Sequence, residues 1–186
     1  MAKKIKINVL SLSSIEKSIK ELKEYKESLN DKCREVVKLL TEEALKIISL
    51  KIAEAAITVE TTSSGAQIET GQNFAGEPSV VYEDLIKGYK AVISVSGEDI
   101  IFIEFGAGVY HNSAAGTSPH PKGETFGFVI GGYGKGMGVN KVWGYYGEDG
   151  ELHLTHGVKA TMPMYSAIIE VARLAPAICK EVFGGK

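Results

Sequence analysis

The chain has 186 residues, 44% of them hydrophobic and 24% charged, with a formal net charge of −2. These are the values of one ordinary globular domain, with or without an appendage, that can bury its core without disulfides or a structural metal. So small a net charge gives no argument for a nucleic-acid or membrane partner. No run approaches the roughly 20 apolar residues needed to span a bilayer.

The start, MAKKIKINVLSLSS, is basic but lacks the apolar core of a signal peptide, which points to the cytoplasm. Residues 3–9 alternate charged and apolar, so a short strand is predicted there, with Lys3, Lys4 and Lys6 keeping its edge soluble. Ser11, Ser13 and Ser14 can each cap a following helix. Ile15, Ile19, Leu22, Leu29, Cys33, Val36 and Leu40 then recur at spacings of three, four and seven. Ala44, Ile47 or Ile48, Ile52 and Ala55 roughly continue the stripe, and lysines and glutamates fill the other faces, with Glu16–Lys20 and Lys23–Glu27 as i,i+4 pairs.

A helix from 14 to 54 would be on the order of 60 Å long, against about 30–40 Å for a compact domain of this size. It must therefore project, bend, or pack along a neighbouring subunit, and Asn30–Asp31 is the natural break into two antiparallel helices. Irregularity after Leu40 argues against a sustained dimeric coiled coil. Residues 1–54 carry a net +3 and the remainder −5; solvated faces account for such an imbalance.

Strands are predicted at 57–61 and 66–69, around a turn at 63–65. A loop at 70–80 and a short helix at 82–89 follow. The apolar, β-branched runs 91–96 and 100–105 predict a hairpin. Residues 106–125 read as a long exposed loop, 126–130 as a strand and 131–138 as a glycine-rich turn. Another hairpin is expected from 142–146 and 152–155. A closing helix over 162–183 has Pro163 in its first turn and Pro176 as a kink, with Ile168, Ile169, Val171, Ala172, Ala175, Ile178, Cys179 and Val182 on its apolar face. The class is α+β: a strand and long helical arm (1–56), then a body (57–186) of antiparallel sheet with a C-terminal helix packed on it, compact overall.

No constellation rises to an active site. Gly134-Lys135-Gly136 lacks the hydroxyl of a phosphate loop, and no helix pattern follows it. His153 and His156 fall on opposite faces of a strand, a poor arrangement for one metal. His111 and His120 share the long loop with Glu104 and Glu124 nearby; surface histidines are the expectation, and no metal, cofactor or catalytic residue is assigned. Cys33 and Cys179 have no CxxC partner and read as buried or half-buried thiols, with a disulfide between the end helices as the alternative. Basic residues are nowhere interleaved with aromatics, so no specific nucleic-acid binding is expected.

One set of motifs stands out. Ile101-Phe102-Ile103-Glu104-Phe105-Gly106-Ala107-Gly108 is followed some fifty residues later by Gly157-Val158-Lys159-Ala160-Thr161-Met162-Pro163-Met164. Between them lie Tyr133-Gly134-Lys135-Gly136, Asn140 and Trp143-Gly144-Tyr145-Tyr146. Over residues 85–180 this resembles the tail-completion family of long-tailed bacteriophages, the neck or minor tail proteins of the lambda protein Z type. That family has a "vEFGTG" stretch, a glycine-rich, tryptophan-containing middle and a "G-x-x-A-x-P-F-M" lead-in to a C-terminal helix. Ala107 stands where the family has Thr, and Met162-Pro163-Met164 where it has Pro-Phe.

The resemblance implies a virion structural protein of phage or prophage, a head–tail connector made in the host cytoplasm. It would act in several copies, as a homo-oligomeric ring, against other neck and tail proteins, with no catalysis or cofactor. It marks Glu104, Phe105, Gly106, Gly108, Trp143, Gly157, Met162, Pro163 and Met164 as the fold or interface motif. From the residues alone, the Glu104 carboxylate is placed to accept from the amides of the 106–108 turn or from a partner. Gly106 and Gly108 would permit positive φ or close backbone approach. The alternatives are a cytoplasmic bacterial adaptor whose long helix binds another helix, and a metal-dependent hydrolase using His111, His120 and Glu104.

Overall fold

A computed structural model of the chain describes residues 11–85, 88–97, 99–109, 117–132 and 138–184. The strand expected at 3–9, residues 133–137 of the glycine-rich turn and His111 lie outside them. The element order is α1 (Leu12–Ala53), β1 (Thr58–Thr61), β2 (Gln67–Thr70), β3 (Pro78–Leu85), β4 (Gly88–Val95), α2 (Ile100–Phe105), β5 (Trp143–Tyr146), β6 (Leu152–Thr155) and α3 (Pro163–Gly184). This is a mixed α+β fold with a long first helix, antiparallel-rich sheets and a C-terminal helix. The described helices include none long and apolar enough to cross a membrane.

The chain divides into two compact units. One comprises residues 1–44, 80–93 and 170–186, and the other 45–79 and 94–169.

α1 is continuous for 42 residues, with no break at Asn30–Asp31. Nothing in it interrupts the i→i−4 ladder, since neither Pro nor Gly occurs and Lys, Glu and Leu are good helix formers. Ser11 caps it, its Oγ accepting from the Ser14 amide at 3.4 Å. Two buried hydroxyls on the helix are satisfied by donating back one turn, Ser18 to the Ser14 carbonyl and Thr41 to that of Val37. The expected pairs Glu16–Lys20 and Lys23–Glu27 do not appear among the ion pairs; Asp31–Arg34, Lys38–Glu42 and Lys51–Glu54 do. Cys33 is exposed rather than buried, Cys179 is half-buried, and both thiols are free.

In the first unit, Arg34 of α1 is tied to Asp84 of β3 by bonds of 3.1 and 2.9 Å, which raise its pKa through that carboxylate. α3 meets α1 where Lys32 lies over the Phe183 ring. Of residues 82–89, expected to be helical, 82–85 belong to β3 and 88–89 to β4. Tyr82 and Tyr89 stack at 5.8 Å and 9°, and Glu83 pairs with Lys90. Val80, Val81 and the two tyrosines are strong strand formers, and cross-strand stacking holds them better than a helix with Gly88 at its end.

In the second unit the sheet runs β1-β2-β6-β5. The hairpin expected from 91–96 and 100–105 does not form, since β4 pairs with β3 and 100–105 is helical. The antiparallel outer pairs of the sheet are β1 with β2 (Thr58 opposite Thr70), the strands expected around the 63–65 turn, and β5 with β6 (Trp143 opposite Thr155), the hairpin expected from 142–155. They join through a parallel central pair, Ile68 opposite Leu154. The core beside it gathers Ala55, Ile103, Ala107 and Val158, with Phe74, Ile100 and Phe102 packed against them. The end of α1 is seated by Gly71 and the residue after it, Gln72, whose N–H donates to the Ala55 carbonyl at 2.7 Å. A Cβ on Gly71 would lie 2.4 Å from that same oxygen.

Two sequence expectations fail in this unit. Residues 100–105 form α2, not a strand. A run of five apolar residues interrupted only by Glu104 cannot be assigned by periodicity. Here Ile103 and Glu104 are both buried in succession, whereas strand neighbours point to opposite faces. Residues 126–130 are likewise turn, not strand. The Phe126 amide bonds back to the Lys122 and Gly123 carbonyls, Phe128 to Gly123, and Gly127 sits at φ +81°.

Candidate functional site: a buried glutamate joining two motifs

The Glu104 carboxylate caps the last helix. α3 begins at Pro163, which has no N–H, so its first free donors belong to Met164 and Tyr165. Met162, preceding it, has a thioether that cannot accept well, and its carbonyl takes the Ser166 amide at 2.8 Å. The two free donors go to Glu104, Met164 N–H to Oε2 at 2.8 Å and Tyr165 N–H to Oε1 at 3.0 Å. Negative charge at a helix N-terminus is also favoured by the helix dipole. The carboxylate therefore binds amides sixty residues away rather than those of its own 106–108 turn.

An imidazole lies against the same carboxylate. His120 Nε2 is 3.2 Å from Glu104 Oε1, and both side chains are at least nine-tenths buried. His120 Nδ1 accepts from the Lys122 amide at 3.0 Å, which leaves the ring proton to Nε2, the nitrogen on the Glu104 side. The imidazole is further fixed edge-on to Phe105 (4.6 Å) and Tyr165 (5.1 Å). Phe105 stacks on Phe128 at 4.6 Å and 19°, and the Ser118 hydroxyl donates to the Phe105 carbonyl. The loop following residue 117 is thus pinned to the end of α2 by an aromatic cluster.

The two sequence motifs cross immediately beyond Glu104. Ala107 and Val158 exchange backbone bonds of 2.8 and 3.1 Å, an isolated antiparallel pair. Thr161 N–H donates to the Ile103 carbonyl at 3.0 Å. Gly106, Gly108 and Gly157 have φ of 77°, 74° and 92°, as the close crossing of two backbones requires. A Cβ on Gly108 would sit 2.5 Å from the His156 oxygen, and one on Gly157 2.4 Å from the Ala107 oxygen. Met162 is the one described non-glycine residue at positive φ, 53°, where the chain turns from the crossing into α3.

Of the nine residues marked in the sequence, eight lie in this joint. Trp143 does not touch Glu104. It lines, with Phe102, Gly108, Tyr145, Gly157 and Val158, a largely apolar cavity of about 400 Å³ beside the sheet. The sequence missed Ser118, and it set His120 near Glu104 only as a surface histidine or, in the hydrolase alternative, as part of a metal site. The signal was faint: one histidine ahead of a proline.

The other histidines also depart from the surface expectation. His156 is buried, with Nδ1 at 2.9 Å from the Lys141 carbonyl and Nε2 at 2.9 Å from Glu60. His153 is half-buried between Glu69 (2.9 Å to Nδ1) and Asp149 (3.2 Å to Nε2), and Glu69 also accepts from Tyr145. Among the described residues no three His, Cys, Asp or Glu side chains converge as metal ligands.

Bonding to Glu69 and Asp149 raises the His153 pKa. Bonding to His153 depresses that of Glu69, and the Glu151 amide followed by His153 depresses that of Asp149. Burial and Glu69 raise that of Tyr145. The stability His153 contributes is complete below its ordinary value near 6.5 and is lost as pH rises through the raised one. That of the two carboxylates is complete above about 4.5 and is lost as pH falls through their depressed values. All three contributions coincide at about pH 5–6. Thermal melting across pH should peak there. His153→Gln should flatten the alkaline limb; an unchanged limb would show that the triad is not what titrates.

No protein-family model, curated protein or solved structure matches the chain.

Proposed function

We propose that this chain is a structural component of a phage neck, a tail-completion or head–tail joining subunit that acts by assembly rather than catalysis. The observation carrying this reading is the order and spacing of Glu104-Phe105-Gly106-Ala107-Gly108, Trp143 and Gly157 to Met164, which resemble that family's motifs. The geometry gives those motifs one physical purpose. They are the two halves of a single joint in which a buried carboxylate seats the closing helix, so a short pattern suffices to specify the body of the protein.

Glu104 is engaged in seating α3, accepting from two amides with His120 Nε2 beside it at 3.2 Å, which supports a structural role and binding as the mode of action. The Thr161 hydroxyl of the same joint is buried without a hydrogen-bond partner among the described residues. The partners are then other neck and tail proteins and further copies of this chain in a ring, first in the host cytoplasm and afterwards in the virion. Mass spectrometry of purified particles of the parent phage should find the chain in several copies per virion. Particles that lack it would refute the assignment.

A further inference from the structure

The first half of α1 carries an apolar row that the described residues leave partly open, with Ile15 and Leu29 half-buried. Leu12 is 81% exposed, Ile19 49% and Leu22 50%. With Ile15 between them they fall at spacings of three, four and three, the a and d sites of a heptad that Lys26, Leu29 and Cys33 continue. Another helix with the same repeat is the partner such a row fits.

The charges beside the row select the orientation. In a parallel, in-register pair Lys26 would face its own counterpart, like charge against like. Glu16 would lie opposite Ser11 and Lys23 opposite Ser18, gaining nothing. In an antiparallel pair centred between Ile19 and Leu22, a sites face d sites. Ile19 meets the partner's Leu22, Leu12 meets the partner's Leu29, and Lys26 lies over the partner's Ile15 with its ammonium free to reach solvent. Glu16 then sits beside the partner's Lys23, and Lys23 beside the partner's Glu16. Neither has an ion-pair partner among the described residues of its own chain.

We propose that residues 12–29 of α1 form an antiparallel two-fold seam with the same segment of a second copy. This does not depend on the neck assignment. The 18 residues span about 27 Å, a small interface, so the dimer should dissociate on dilution.

Sedimentation of the full chain should show a mass rising with concentration from 20.0 kDa towards twice that value. Ile19→Glu with Leu22→Glu should hold it at the monomer mass with unchanged circular dichroism, because both positions are exposed. With Cys33 and Cys179 replaced by Ser, oxidation should link dimers when Ile19→Cys and Leu22→Cys are combined, and not when either is alone. A chain monomeric at every concentration overturns the proposal. So does a dimer that survives the two glutamates, or one that native Cys33 links to itself, the mark of parallel pairing.

Discussion

Glu104→Ala should lower the melting temperature by roughly 6–12 °C, the shift expected for a loss of about 3 kcal/mol in a domain of this length. The substitution removes the acceptor for the Met164 and Tyr165 amides and the carboxylate beside His120 Nε2. Each buried donor left without a partner costs about 1–3 kcal/mol, and losing a helix cap typically about 1. Water entering the vacated space would recover part of that, which is why the expected loss lies well below the sum. Glu104→Gln keeps one acceptor but turns an amide N–H₂ towards a backbone N–H, so it should fall between wild type and Ala. Hydrogen exchange checks the cause as well as the size. In Glu104→Ala the Met164 and Tyr165 amides should lose protection first, while those in the middle of α1 keep it. An unchanged melting point with both amides still protected would remove Glu104 from its role as the cap.

Gly157→Ala should be costlier still, at about 4 kcal/mol, a large share of the 5–15 kcal/mol that holds a typical domain together. A side chain at φ +92° costs about 1–2 kcal/mol. The new Cβ would also stand 2.4 Å from the Ala107 oxygen, 2.8 Å from its carbonyl carbon and 3.1 Å from the Gly108 Cα. All three are backbone atoms, so no rotamer relieves the clash. The strands must part, and the reciprocal Ala107–Val158 bonds go with them, at about 0.5–1.5 kcal/mol each. Gly65→Ala is the control. Its φ is +84° but no atom lies within 4 Å of the added methyl, so it should lose only the backbone penalty. Denaturant midpoints for the two variants separate conformation from crowding. If Gly157→Ala loses no more than Gly65→Ala, the close crossing of the motifs is not what the glycine serves.

Legibility in the sequence followed the strength of the local signal. The long helix was plain because seven apolar positions recur at helical spacing with no Pro or Gly among them. The 57–69 and 142–155 hairpins were plain because turn residues separate β-branched or aromatic runs. What remained hidden depends on contacts distant in the chain. Residues 100–105 read as a strand because Ile and Phe favour strands, but a helical turn alone lets Ile103 and Glu104 be buried side by side. Residues 82–89 read as a helix because cross-strand stacking of two tyrosines leaves no local trace.

The joint itself was half legible. The motifs on either side of it were visible, as was the need for glycines between them. That Glu104 reaches the start of α3 rather than its own turn was not visible, since nothing in a sequence states which residues sixty apart are neighbours. The packing of His120 at the joint was hidden for the same reason. Its role comes from a loop folding back onto Phe105, through aromatic packing that no short pattern encodes.

The functional assignment is tested most directly by electron microscopy of lysates from the parent phage or prophage with this gene deleted. Filled heads lying apart from tails, or tails with abnormal ends, are the expected result, and they should revert to whole virions when the wild-type gene is supplied in trans. Normal, infectious virions from the deletion would contradict a neck role and favour an adaptor that binds through its long helix.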